Sequence, residues 1–296
     1  MNSPFTFDAL VALVGPHLRH DVACPLCGPQ PGRTATNRKR RVLRIWHPEP
    51  GFVTFYCARC EASGYAIDDG REPVSRAVLE ETRRKAEAFE RKEAAERLET
   101  ARWLWSISKP IPGTIAEHYL LGPRGITGTL PGTLRFLPAH NDYPPALIAA
   151  FGLPDELEPA VLTIPRARIE GVHLTHLKPD GSGKDEDGYG PVKNMIGRSS
   201  GWPIVLAPLN DSGGLGITEG IEDGLSVLVS GLGVWAAGSA SRLPDLAERV
   251  PDHADCITIF AYPDDIGMRH AAELQRLLRA RGLFAAIANL PEKSDD

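Results

Sequence analysis

The chain has 296 residues, of which 42% are hydrophobic and 24% charged, and this composition excludes a fibrous or wholly disordered protein. No run of 18 apolar residues occurs and the first residues lack the cationic start of a signal peptide, so we expect a cytoplasmic protein without a membrane partner. The net charge of −5 is unevenly distributed, because residues 1–60 carry eight Lys or Arg against three Asp or Glu. A basic N-terminal segment indicates a polyanionic partner.

Four of the five cysteines form two Cys-x-x-Cys pairs, Cys24 with Cys27 and Cys57 with Cys60, separated by 29 residues. Each pair presents two thiolates from one tight turn, and the segment between the pairs can close on a metal. This spacing predicts one structural zinc ion with four thiolate ligands. Disulfides and a redox pair are the alternatives, but disulfides need an oxidising compartment and a redox motif would not occur twice.

Two strand-like runs between the pairs, residues 41–47 and 52–56, are joined by Pro-Glu-Pro-Gly and predict a hairpin. Together with the zinc ion this makes residues 1–70 a zinc ribbon. Trp46 lies on the hairpin, and a basic cluster leads into it: Arg38, Lys39, Arg40 and Arg41. Basic side chains contact phosphates and aromatic faces stack on unpaired bases, so these residues predict single-stranded nucleic-acid binding. Aromatic residues that fill the small core of the ribbon are the alternative.

The remaining chain predicts three further segments. Residues 71–108 are dense in Ala, Glu, Arg and Lys and predict a charged connecting helix. Residues 109–200 are rich in Gly and Pro and predict a small mixed α+β subdomain, with a hairpin over 169–177. In residues 201–296 apolar strands alternate with helices, one of them over 243–250, which predicts an α/β fold with a parallel sheet flanked by helices.

Acidic side chains follow two strands of the predicted parallel sheet. Glu219 follows one strand, Asp264 and Asp265 follow another, and Asp223 lies one helical turn beyond Glu219. Functional groups in such sheets gather beyond the carboxyl ends of the strands, and carboxylates suit Mg²⁺. Capping of helix N-termini is the alternative role for the same acids.

Residues 215–226, with Glu219 and Asp223, resemble the first motif of Toprim domains, a strand that ends in Glu-Gly with an acid four residues later. Residues 260–267 resemble the second motif, Asp-x-Asp-x-x-Gly, although Tyr262 stands where the first aspartate is usual. Residues 290–296 are similar to the lysine-and-acid stretch that often closes these domains.

A zinc ribbon ahead of a Toprim domain resembles the DnaG-type primases of bacteria, phages and plasmids. Residues 113–126, which include Tyr119 and Arg124, are similar to a segment that precedes the catalytic core of these primases. Residues 173–181 and 193–197 are similar to their hairpin and lysine-containing segment before the Toprim domain. The resemblance covers nearly the whole chain.

This resemblance implies metal-dependent synthesis of short RNA primers on a single-stranded DNA template, during replication of a phage, plasmid or mobile element, with a separate replicative helicase as a further partner. It implies four catalytic acids: Glu219, Asp223, Asp264 and Asp265. Glu219 and Asp264 would bind Mg²⁺ or Mn²⁺. Four cationic side chains would bind the nucleoside triphosphate or the template: Lys184, Lys193, Arg198 and Arg124.

Two other functions remain open at the level of the sequence. The first is a nucleic-acid-binding accessory protein whose Toprim fold is weakly active or inactive, an alternative motivated by Tyr262. The second is a Toprim nuclease, against which the ribbon and the basic segment argue.

Overall fold

A computed structural model describes residues 4–14, 19–29, 38–49, 51–68, 76–141, 143–159, 161–186 and 191–291. The chain divides into two compact units, Met1–Lys92 and Glu93–Asp296. The lysine-and-acid stretch expected near the C-terminus lies outside these ranges beyond residue 291. Among the helices described, none combines the length and apolar character that a membrane span requires.

The first unit contains a four-stranded antiparallel sheet, in the order β1-β2-β3-β4. Its elements are α1 (Phe7–Val14), β1 (Arg19–Ala23), β2 (Arg41–Glu49), β3 (Phe52–Cys57) and β4 (Ser63–Ile67). The predicted hairpin is present as β2 and β3. Apolar residues of β2 and β3 alternate with more exposed ones, and Leu43, Ile45 and Phe55 form the core with Leu10 of α1.

Helix α2 (Arg76–Ile107) is 32 residues long and contains neither Gly nor Pro. Most of its residues between 87 and 100 are exposed, as expected for a sequence with few apolar positions. Near its C-terminus Ala101 and Trp105 are buried in a core cluster with strands of the second unit.

After the C-terminal part of α2, the second unit contains α3 (Ile115–Leu121) and an antiparallel sheet in the order β10-β9-β6-β5. Its strands are β5 (Leu134–Leu137), β6 (Ala146–Phe151), β9 (Gly171–His176) and β10 (Lys193–Gly197), and a separate hairpin is formed by β7 (Asp155–Glu158) and β8 (Val161–Thr163). The predicted hairpin over residues 169–177 is wrong, because this segment is the single strand β9. That strand lies between β6 and β10, so even its polar residues His173 and Thr175 are buried.

A five-stranded sheet in the order β11-β13-β12-β14-β15 forms the rest of the unit. Its elements are β11 (Ile204–Ala207), β12 (Gly214–Thr218), α4 (Ile221–Val227), β13 (Gly233–Ala236), β14 (Cys256–Ala261), α5 (Asp265–Ala280) and β15 (Ala285–Asn289). β12, β13, β14 and β15 are parallel, whereas β11 runs antiparallel to β13. The carboxyl ends of β12, β13 and β14 therefore meet at one edge.

The helix predicted over residues 243–250 is wrong. Two short 3-10 turns, Ala240–Arg242 and Pro244–Leu246, occupy this part of the chain. Pro251 follows the segment directly and disfavours the α conformation for the residue before it. The backbone hydrogen bonds of the two turns join residues three apart, as in a 3-10 helix, which proteins use in short pieces.

Candidate functional site

The four paired cysteines converge in the first unit. All four sulfur atoms lie within 4.8 Å of one another, with 3.9 Å between Cys24 and Cys60 and 3.8 Å between Cys27 and Cys57. Tetrahedral zinc with Zn–S bonds of about 2.3 Å places its sulfurs roughly 3.8 Å apart. These separations are too long for disulfides, and all four thiols are free. The cluster therefore fits a zinc ribbon with one structural zinc ion.

The surroundings of the cysteines also suit a metal. The first knuckle closes through a hydrogen bond from Gly28 N–H to the Cys24 carbonyl at 2.8 Å, where a Cβ atom would lie 2.6 Å from that oxygen. The second knuckle closes equivalently, from Glu61 N–H to the Cys57 carbonyl at 2.9 Å. Burial raises the pKa of the Cys27 thiol, and a bound cation offsets this effect because zinc binds the thiolate.

Aromatic side chains occupy the face of the ribbon sheet opposite its core. Trp46 of β2 lies level with Thr54 and Tyr65 on the neighbouring strands, and Tyr65 is 59% exposed. Tyr56 is also exposed, whereas Phe55 points into the core. The alternative that ribbon aromatics fill the core thus holds for Phe55 and not for Trp46, Tyr56 or Tyr65. The sequence analysis did not identify Tyr65. In β4 the exposed Tyr65 precedes the buried Ala66, and this alternation could have indicated that Tyr65 lies on the face opposite the core.

The predicted basic cluster lies at the surface. Its four side chains are exposed: Arg38, Lys39, Arg40 and Arg41. Arg41 begins β2, two residues before the first core position of that strand. The cluster thus adjoins the sheet that carries Trp46, within the same unit.

In the second unit, Glu219 and Tyr262 follow the parallel strands β12 and β14, and Asp223 lies in the first turn of α4. The Tyr262 hydroxyl donates a hydrogen bond to Asp223 Oδ1 at 2.5 Å. Burial, this bond and the negative charges of Glu219 and Glu222 raise the pKa of Tyr262. The tyrosine therefore remains a protonated donor among carboxylates.

Asp264 and Asp265 lie at the N-terminus of α5 and are exposed. Asp264 Oδ1 accepts a hydrogen bond from Gly267 N–H at 2.6 Å and caps the helix. The capping role considered for these acids therefore applies to Asp264. Asp265 follows in the first helical turn, where its charge favours the positive end of the helix dipole.

Glu222, which sequence reasoning missed, lies at the centre of a charged cluster. Its side chain is 16% exposed, and Oε1 accepts hydrogen bonds from Lys184 Nζ at 2.8 Å and from the Tyr119 hydroxyl at 2.9 Å. Lys193 Nζ lies 3.9 Å from Oε2. Burial opposes ionisation of Glu222, but the charges of Lys193 and Lys184 outweigh it and hold its pKa at about 2.

Arg124 belongs to the same cluster through Tyr119. Its Nε donates a hydrogen bond to the Tyr119 hydroxyl at 2.8 Å, and its guanidinium lies 5.5 Å from the centre of that ring. Three of the four predicted phosphate-binding cations, Arg124, Lys184 and Lys193, are therefore brought together around Glu222. The position of Glu222 between Glu219 and Asp223 was the signal available in the sequence.

Arg198 does not belong to this cluster. It follows the far end of β10, five residues from Lys193, which corresponds to roughly 17 Å along an extended strand. Its side chain is 64% exposed and lies 3.4 Å from Glu170. Sequence proximity to Lys193 suggested a shared role, but the extended strand separates the two side chains.

His173 on the central strand β9 is 2% exposed and lies near the charged cluster. Burial, assisted by the charge of Lys193, lowers its pKa to about 4. Its ring contacts Phe151 edge-on, and Nδ1 lies 3.5 Å from the Thr175 hydroxyl. The imidazole is therefore neutral at physiological pH.

We expect the neutral state of His173 to make stability depend on pH. As the pH falls below the ordinary value of 6.5, the unfolded chain takes up the proton first, so stability is lost until about pH 4. The shift corresponds to about 3 kcal/mol of unfolding free energy. Urea unfolding of His173→Gln should lack this component, whereas the exposed matched control His253→Gln should keep it. Identical pH profiles for wild type and His173→Gln would contradict the assignment.

A divalent cation has fewer ligands here than the motifs suggest. Mg²⁺ with metal–oxygen distances of about 2.1 Å needs ligand oxygens roughly 3 Å apart. In the part of the chain that the structure describes, the four cysteines are the one group of three or more His, Cys, Asp or Glu side chains placed to hold a metal ion. A cage of three carboxylates is thus not formed.

Comparison with known proteins adds three findings. A protein-family model described as a domain of unknown function (DUF7146) matches residues 95–206, which contain Tyr119, Arg124, Lys184 and Lys193. No curated protein is significantly similar in sequence. The chain is similar to the crystal structure of the primase fragment of the bacteriophage T7 primase-helicase protein, with a TM-score of 0.38 and 14% identity over 81% of this chain and 83% of that one.

A second similar structure is the Aquifex aeolicus primase, comprising its zinc-binding and RNA polymerase domains. The TM-score is 0.39 and the identity 15%, over 94% of this chain and 74% of that one. Both solved structures are described as primases.

Proposed function

We propose that this chain is a primase, a nucleotidyltransferase that joins nucleoside triphosphates into short RNA primers on single-stranded DNA. The observation that carries the proposal is the convergence of Arg124, Lys184 and Lys193 around Glu222, in the helical turn that follows Glu219. Three cations around one acid suit a polyphosphate, and the burial of Lys184, whose side chain is 17% exposed, strengthens its interaction with such a charge. A strand-end glutamate beside them suits phosphoryl chemistry.

In this proposal the 3′-hydroxyl of the growing primer attacks the α-phosphate of the incoming nucleotide, and pyrophosphate leaves. Lys184, Lys193 and Arg124 bind and orient the triphosphate and balance its negative charge. Glu219 would hold Mg²⁺ or Mn²⁺ together with Asp264, or would serve as general acid and base. The cation, when bound, supplies further neutralisation of phosphate charge. Asp223 and Asp265 are the two remaining acidic side chains of the proposed catalytic site.

The ribbon provides the proposed template contact. Residues 1–70 would bind single-stranded DNA through the basic cluster and the open aromatic face, and residues 109–296 would hold the catalytic site, after the connecting segment 71–108. Trp46, Tyr56 and Tyr65 offer stacking faces, and the exposed cations 38–41 offer phosphate contacts. We also propose that the chain comes from a phage, plasmid or other mobile element. A separate chain would supply the helicase. Arg198 would contact the template and not the triphosphate.

The function is tested by incubating the zinc-loaded chain with mixed-sequence single-stranded DNA and labelled nucleotides, first with Mg²⁺ and then with Mn²⁺. We expect template-dependent products of a few nucleotides. End-labelled DNA in a parallel reaction detects cutting, which would favour the nuclease. Intact DNA binding without any product, under either metal, would favour the accessory protein, in which the Tyr262–Asp223 hydrogen bond replaces metal ligation.

Neutralising residues 38–41 should reduce the salt dependence of DNA binding. Each phosphate contact to a single strand contributes roughly 0.7 to the slope of log affinity against log salt concentration, so loss of four contacts should lower the slope by about 3. The affinity is measured by fluorescence anisotropy between low and moderate salt. A matched control neutralises four exposed cations of α2: Arg84, Arg91, Lys92 and Arg97. An equal reduction in the control would assign the effect to net charge alone.

A further inference from the structure

Protein donors already occupy three of the acidic side chains near the ends of β12 and β14. Asp223 accepts from Tyr262, Glu222 accepts from Tyr119 and Lys184, and Asp264 accepts from the backbone of α5. Closely spaced carboxylates repel one another, and either a cation or protein donors can offset that repulsion. This chain uses donors at each of these three acids.

Tyr262 is placed to act on the acids of the neighbouring strand. β12 and β14 are parallel neighbours in register, with Thr218 beside Phe260, so Tyr262 emerges close to the level of Glu219 and Gly220. The Asp223 side chain folds back toward Gly220, where a Cβ atom would lie 2.6 Å from Asp223 Oδ2. One carboxylate oxygen of Asp223 is therefore bonded to Tyr262, and the other faces the backbone at the start of α4.

This geometry removes Asp223 from the set of free ligands. The Tyr262 hydroxyl donates to Asp223 Oδ1, and hydrogen bonds from a hydroxyl to a carboxylate are stronger than those between neutral groups. A cation that used Oδ1 would first have to break this bond. Tyrosine itself is a poor ligand for Mg²⁺, which prefers carboxylate, carbonyl and water oxygens.

We propose that Tyr262 is a positioning residue that keeps Asp223 out of the coordination of the divalent cation, so that Glu219 and the other strand-end acids bind the cation weakly. The inference rests on the proposed function for the identity of the site. Its test does not, because cation binding is measured without nucleotide or DNA. Tyr262 thus sets the cation affinity of the strand-end acids.

The test is Mn²⁺ binding to the zinc-loaded full chain, followed by electron paramagnetic resonance of free Mn²⁺. Tyr262→Phe removes only the hydroxyl and releases Asp223, so we expect roughly tenfold tighter binding than in the wild type. Tyr262→Asp adds a carboxylate and should bind more tightly still. The matched control Tyr143→Asp, at a 71% exposed position, should bind like the wild type. Adding Glu219→Gln to either Tyr262 variant should abolish the gain in Mn²⁺ affinity.

Equal Mn²⁺ affinity in the wild type and Tyr262→Phe would overturn the inference, as would tight binding by the wild type itself. Absence of binding in all variants, including Tyr262→Asp, would overturn it as well. Thermal unfolding of each variant confirms that the fold is kept, and Tyr262→Phe is conservative enough to remain informative if Tyr262→Asp does not fold. Failure of primer synthesis would leave the ranking of Mn²⁺ affinities intact, so the two proposals fail separately.

Discussion

Replacing Cys57 with serine is expected to abolish zinc binding and unfold the ribbon. The core of the first unit is small, so burial alone stabilises it little. A structural zinc ion contributes about 10–16 kcal/mol of binding free energy in zinc-finger peptides, and that free energy is available only to the folded form. Removal of one buried thiolate ligand therefore eliminates the main source of stability of this unit.

Elemental analysis measures the first effect, and limited proteolysis of residues 1–70 measures the second. We expect one zinc per wild-type chain, none in Cys57→Ser, and rapid cleavage of the ribbon in that variant. Cys256→Ser is the matched control, since Cys256 is exposed and lies outside the cluster. A protease-resistant, zinc-free Cys57→Ser ribbon would show that the four cysteines do not stabilise the fold through a metal.

Replacing Glu222 with alanine is expected to destabilise the second unit by about 3–5 kcal/mol. The side chains of Glu222 and Lys184 are 16% and 17% exposed, and breaking such a pair leaves a buried charge without compensation. Burial already lowers the pKa of Lys184, and Glu222 opposes this. The Tyr119 hydroxyl would lose its acceptor at the same time.

Urea unfolding of the second unit measures this loss. The double variant Glu222→Met with Lys184→Met should recover most of the stability, because apolar side chains of similar length replace both charges. Glu273→Ala is the matched control, since Glu273 pairs with Arg276 at the surface and should leave stability unchanged. If Glu222→Ala leaves the free energy of unfolding as unchanged as Glu273→Ala does, the contacts of Glu222 with Lys184 and Tyr119 do not stabilise the second unit.

Local spacing explains what could be predicted from the sequence. The zinc cluster depends on two tight turns, so the spacing of Cys24, Cys27, Cys57 and Cys60 sufficed. The strand-end position of Glu219 followed from the alternation of strands and helices, because parallel strands share an edge for their carboxyl ends. The alternating pattern of β2 likewise separated core from open face.

Tertiary pairing explains what could not be predicted. Glu222 contacts Lys184 and Tyr119, which come from distant segments of the chain, and its position between Glu219 and Asp223 does not indicate these contacts. Arg198 follows Lys193 closely in sequence, but an extended strand places it elsewhere. Tyr262 was recognised as a departure from the Toprim pattern, yet its hydrogen bond to Asp223 depends on the register of β12 and β14.

The most direct test of the proposed function compares primer synthesis by the wild type, Glu219→Gln and Glu273→Gln on the same single-stranded template. The account predicts short products from the wild type and from Glu273→Gln, and a reduction of roughly 100-fold or more in Glu219→Gln with unchanged thermal unfolding. Equal synthesis by Glu219→Gln would contradict the assignment of the catalytic site to the end of β12.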